Sequence, residues 1–178
     1  KDLLLYTGLT LEYDGQYEKG IEIYTKLIEE KEEDGSLYAA RANLYRKMGE
    51  YELSLADYEK ALSFDSKNFE LYFGKFSVLK DLGNQEEAKN VLDEAANITA
   101  STKEDKYNLA KVHFYQENYE LAKSEFQTAV ADGFTDANYF LGEISLAEKN
   151  YKEALTFYDA FEDSGNTLSA MYYNQRMV

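Results

Sequence analysis

GQYEKGIEIY at Gly15–Tyr24 returns as GEYELSLADY at Gly49–Tyr58, ENYELAKSEF at Glu117–Phe126 and KNYKEALTFY at Lys149–Tyr158. With Gln85 holding the equivalent place in between, the anchors Tyr17, Tyr51, Gln85, Tyr119 and Tyr151 stand 34, 34, 34 and 32 residues apart. A period of that size belongs to stacked helix pairs. One helical unit is therefore copied along the chain, and function is to be sought on an extended surface rather than in a catalytic pocket.

Working outward from the copied stretch, each unit shows two bursts of apolar residues at helical spacing, separated by a short turn such as Met48-Gly49-Glu50 or Leu82-Gly83-Asn84. In the second unit, Tyr38, Ala42 and Tyr45 mark one face of the first helix, and Tyr51, Ser54, Leu55, Tyr58, Ala61 and Leu62 mark one face of the second. Gly8, Ala42, Ala110 and Gly142 share one place, and Gly20, Ser54, Ala88, Ala122 and Ala154 share another, so small side chains let neighbouring backbones approach. Tyr24, Tyr58, Leu92, Phe126 and Tyr158 supply the bulk opposite them. A sheet protein built on the many Tyr and Phe residues is disfavoured, because strict apolar alternation is scarce.

The pattern resembles the tetratricopeptide repeat (TPR) family over nearly the whole chain, most clearly at Tyr38, Tyr45, Gly49, Tyr51, Tyr58 and Ala61, and at Leu141, Gly142, Tyr151, Ala154 and Tyr158. The resemblance implies an all-α, right-handed superhelical solenoid of antiparallel helix pairs, about 11 helices in one domain. Its units fall at about 1–34, 35–68, 69–102, 103–134 and 135–167, with 168–178 a partial or capping helix. The family's Pro near the unit's end is absent, Ser66 standing in its place. The third unit departs further, with Gln85 for the turn aromatic and Lys75-Phe76 for Leu-Gly, so looser or shifted packing is expected there.

Nineteen Lys and Arg against 34 Asp and Glu leave a net charge of −15, which disfavours nucleic acid and anionic membranes as partners. With no Cys there is no disulfide or thiolate site, and redox chemistry assigns no compartment. No apolar run is long enough to span a bilayer. The start at Lys1, with neither Met nor a signal-like segment, reads as a piece of a longer chain. The acidic, Cys-free make-up suits a bacterial protein, cytoplasmic or tethered outside the membrane.

Motifs for phosphate loops, paired zinc ligands and EF-hands are absent, and no cofactor, metal or enzymatic activity is expected. His113, the only histidine, falls where Tyr45 falls and reads as a helix-packing residue. The run Glu29-Glu30-Lys31-Glu32-Glu33-Asp34 reads as a solvated helix end. Asn97-Ile98-Thr99 is a formal glycosylation triplet without a secretory context.

One residue after each first-helix aromatic stand Leu5, Ala39, Phe73, Tyr107, Tyr139 and Tyr172, a place that the resemblance turns into the concave groove. Further along that face come Asn43 and Arg46, Ser77 and Lys80, Lys111 and Phe114, and Glu143 and Leu146. The candidate site is Asn43, Arg46, Phe73, Ser77, Lys80, Tyr107, Lys111 and Tyr139. On so acidic a chain its cations fit a protein or peptide partner with acidic groups or a C-terminal carboxylate; the same residues also suit an ordinary solvated face.

The carboxylate clamp of chaperone-binding relatives is not supplied. Asn43 fits it, but Ala39, Gly74, Glu104 and Asn108 replace its other members. The expected function is a protein-interaction scaffold that holds a peptide or helix of its partner. The alternatives are an accessory or targeting module of a larger enzyme or sensor, a homodimer formed through Met171, Tyr172 and Met177 of the last helix, and a receptor for sugars or small molecules using the tyrosine-rich wall.

Overall fold

In the computed structural model, residues 10–11, 14–30 and 34–166 are described. Among them are nine helices and no strand: α1 Tyr17–Glu30, α2 Gly35–Met48, α3 Tyr51–Phe64, α4 Phe69–Asp81, α5 Gln85–Ala96, α6 Lys103–Tyr115, α7 Tyr119–Ala131, α8 Ala137–Ala147 and α9 Tyr151–Asp163. The expected total of about 11 helices is thus not matched. Apart from residues 10–11, the stretch expected to form the first helix of the first unit, and the trailing segment with Met171, Tyr172 and Met177, lie outside the described residues. The chain divides into two compact bodies, Lys1–Ala95 and Ala96–Val178.

The alternation of small and large residues becomes the core of each body. Tyr24, Tyr58, Leu92, Phe126 and Tyr158 are all buried, as are Ser54, Ala88, Ala122 and Ala154 among the small positions. Burial of Ser54 is compatible with its hydroxyl because Oγ donates to the Ala42 carbonyl at 2.7 Å, tying α3 to α2. In the third unit, Phe76 is buried where the other units have Ala42, Ala110 and Gly142.

The second body is built on stacked rings. Phe126 lies parallel to Phe140 at 4.8 Å, and Tyr107 lies parallel to Phe134 at 4.9 Å, with Phe114 edge-on to Phe140 at 5.2 Å.

Local signals set the helix ends. Asp34 accepts from Ser36 N–H at 3.2 Å as the N-cap of α2. The last acid of the Glu29–Asp34 run therefore has a structural task; residues 31–33 lie outside the described residues. Thr102 and Asp105 form a capping box on α6, and the Thr102 and Ser101 N–H groups hold the Asp105 carboxyl below its ordinary value.

The turns inside the helix pairs need a left-handed residue. Gly49 supplies it at φ 79°, donating to the Arg46 carbonyl at 3.0 Å, whereas Lys149 makes the same turn at φ 60° and donates to the Leu146 carbonyl at 3.0 Å. A side chain in that region costs about 1–2 kcal/mol, partly offset by glycine's larger loss of chain entropy. Lys149→Gly is therefore expected to stabilise the protein by about 0.5–1 kcal/mol, read as a melting temperature raised by roughly 2–4 °C; an unchanged or lower value would remove the strain argument.

Candidate functional site

In the first body the candidate residues lie on the neighbouring first helices α2 and α4, and packing beneath them fixes the surface. Tyr58 of α3 is 2% exposed, and its hydroxyl donates to Asn43 Oδ1 at 2.6 Å. α4 reaches this ring through Gly74, where a Cβ would stand 2.3 Å from Tyr58 Cε1 and Cζ. Asn43 is thus an exposed residue held from below.

Phe73 and Ser77 follow on α4 as half-buried side chains. Lys80 is exposed and carries its ammonium 5.5 Å from the centre of the Phe76 ring. Arg46 is tied to its neighbour helix, Nε donating to Asp81 Oδ2 at 2.7 Å. That acid, directly after Lys80, was missed by reading the face as basic.

The second body treats the equivalent positions differently. Tyr107 is 7% exposed; its ring packs on Phe134 and its hydroxyl donates to Asp136 Oδ2 at 2.7 Å. It anchors the core instead of offering an open surface. Lys111 lies 5.4 Å over the Tyr107 ring and donates to Asn108 Oδ1 at 3.0 Å. Tyr139, half-buried, meets Phe140, Tyr158 and Phe161. Burial, with Glu117 and Glu143 adding, pushes the Tyr119 phenol above its ordinary value.

Two features of this surface escaped sequence reasoning. Tyr158 donates to Glu143 Oε1 as Tyr58 does to Asn43, each pair 15 residues apart. The signal was available in part: Asn43 and Glu143, 15 residues before Tyr58 and Tyr158, are acceptors, whereas Leu9 stands 15 before Tyr24, and Ser77 and Lys111 stand 15 before Leu92 and Phe126. The other feature is His113, whose Nδ1 lies 2.7 Å from Glu125 Oε2, so the packing histidine also has a polar partner. Among the described residues no group of three or more His, Cys, Asp or Glu could hold a metal ion, and no helix is long and apolar enough to cross a membrane.

Family models described as tetratricopeptide repeat match residues 107–167 and 2–30, and one described as TPR repeat matches residues 42–75. The TPR repeat-containing protein YpiA of Bacillus subtilis is 26% identical over 127 residues, covering 70% of this chain and 30% of that protein. The chain spans less than a third of the length of the curated relatives it matches.

Among solved structures, TTC0263, a thermophilic TPR protein of Thermus thermophilus, superposes with a TM-score of 0.73 at 18% identity, over 99% of this chain and 98% of its own. YrrB, described as a TPR protein with an unusual peptide-binding site, does so at 0.53 and 22% identity, over 90% and 84%. These likenesses fit a helical solenoid.

Proposed function

From the premise that this chain belongs to the tetratricopeptide repeat family, whose members are in general non-enzymatic protein-interaction scaffolds, we propose that it binds an extended acidic peptide of a partner protein. The peptide lies along α2 and α4 of the first body, with Asn43, Arg46, Phe73, Ser77 and Lys80 as its contacts. The observation that carries this reading is how charge is shared among helices. α2 bears Arg41, Arg46 and Lys47 and no carboxylate, while α1 and α5 bear four carboxylates each. An acidic ligand is therefore attracted to a first-helix face and repelled from the second helices.

The chemistry of the face supports an extended ligand. Asn43 and Ser77 offer hydrogen bonds, Phe73 offers apolar area, and Lys80 and Arg46 offer charge near the ends of α4 and α2. YrrB, a fold relative, is described as having a peptide-binding site, so peptide recognition is within the reach of this architecture.

The test is fluorescence anisotropy with a labelled peptide of alternating Glu and Leu, set beside a copy with Gln for Glu. Arg46→Glu with Lys80→Glu, folded by circular dichroism, is expected to weaken the Glu peptide by about tenfold or more and to leave the Gln copy unchanged. Equal binding by wild type and the double variant would move the site elsewhere.

A further inference from the structure

We infer that Asp81 sets which ligands the α2–α4 face accepts, by occupying Arg46 until a ligand carboxylate exchanges for it; this rests on the acidic-peptide reading above. The first body contains two Arg–Asp pairs of opposite character. Arg41 and Asp57 are 16% and 9% exposed and bond through two nitrogens to two oxygens, at 2.7 and 2.8 Å. Arg46 and Asp81 are 39% and 37% exposed and meet through Nε and Oδ2, at 2.7 Å. The first pair is shielded and fixed, and the second is open to water and weak enough to exchange.

Position makes the exchange matter. Asp81 is the last residue of α4, directly after Lys80, and bridges to the last turn of α2, where Arg46 and Lys47 stand. α2 has no acid, and the other acid of α4, Glu70, lies in its first turn. A ligand bearing one carboxylate gains little at Arg46, because it meets the repulsion of Asp81 as it arrives. A ligand with several spaced carboxylates engages Lys80 as well, and so displaces Asp81. The face thereby discriminates multiply acidic segments from the singly charged ones that any chain offers.

The same Glu-Leu peptide and its Gln copy supply the test. Asp81→Asn is expected to tighten the Glu peptide roughly fourfold and to leave the Gln copy unchanged, while Asp81→Glu, which keeps the charge, behaves as wild type. In an Arg46→Met background the gain from Asp81→Asn is expected to fall below about twofold, since the effect acts through Arg46. No gain, or an equal gain without Arg46, would overturn the role of Asp81. If neither wild type nor Asp81→Asn prefers the Glu peptide to its Gln copy, the acidic-peptide reading itself fails, and the role of Asp81 falls with it.

Discussion

Asp57→Ala is expected to destabilise the protein by about 3 kcal/mol, although it removes one side chain and leaves every apolar contact of Arg41 in place. Arg41 is the centre of a part-buried polar knot. Its Nε and terminal nitrogens hold Asp57 of α3 and Thr25 of α1, at 2.7, 2.8 and 3.0 Å, and its guanidinium lies 5.8 Å from the centres of both the Tyr38 and the Tyr45 ring. The hydrogen bond to Asp57 raises the Arg41 pKa above its already high ordinary value despite burial, so the charge persists whatever the pH.

With Asp57 removed, a permanent cation is left without a counter-ion among aromatic rings, and that orphaned charge is the main cost. Arg41→Leu with Asp57→Ala should recover most of the loss, ending within about 1 kcal/mol of wild type, because both charges then go together. The repeat itself supports the double change, since Leu109 stands where Arg41 does, two units on. Urea unfolding followed by circular dichroism gives the order; a double variant as unstable as Asp57→Ala would mean that the pair contributes through its bonds rather than through paired burial.

What the sequence disclosed and what it hid divide along a physical line. Periodicity located the buried bulk at Tyr24, Tyr58, Leu92, Phe126 and Tyr158 and the small residues opposite it, because packing depends on size and spacing alone and both are written in the chain. Polar partnerships are not so written. Asp81 lies 35 residues from Arg46, and the face looked more basic than it is because nothing local links the two. Tyr107 occupied a groove position by register, yet Phe134 and Asp136, from the turn ahead of α8, draw it into the core. Side chains that reach across helices are chosen by geometry, which a one-dimensional spacing does not carry.

Gly74 shows the same division at a residue where the expected effect is large. By register it takes the place of an Asn of the chaperone clamp, and its small size looks like a lost function; the structure makes it a requirement of packing. A Cβ there would stand 2.3 Å from Tyr58 Cε1 and Cζ and 2.5 Å from its hydroxyl oxygen, against a ring that is 2% exposed and held at its far end by Asn43. The ring has to shift, giving up that hydrogen bond and disturbing the packing around Ala42 and Ala61.

Gly74→Ala is therefore expected to cost about 2–3 kcal/mol, whereas an alanine at an open helical site stabilises. Tyr58→Leu alone leaves a cavity and costs a similar amount, but in Tyr58→Leu the added methyl of Gly74→Ala has room. The two changes together should be milder than their sum by at least about 1 kcal/mol. Simple additivity in urea unfolding would show that the ring does not press on α4. If the proposed site is right, a folded Gly74→Ala protein should also bind the Glu-Leu peptide more weakly, because moving Tyr58 releases Asn43 from the hydrogen bond that holds it.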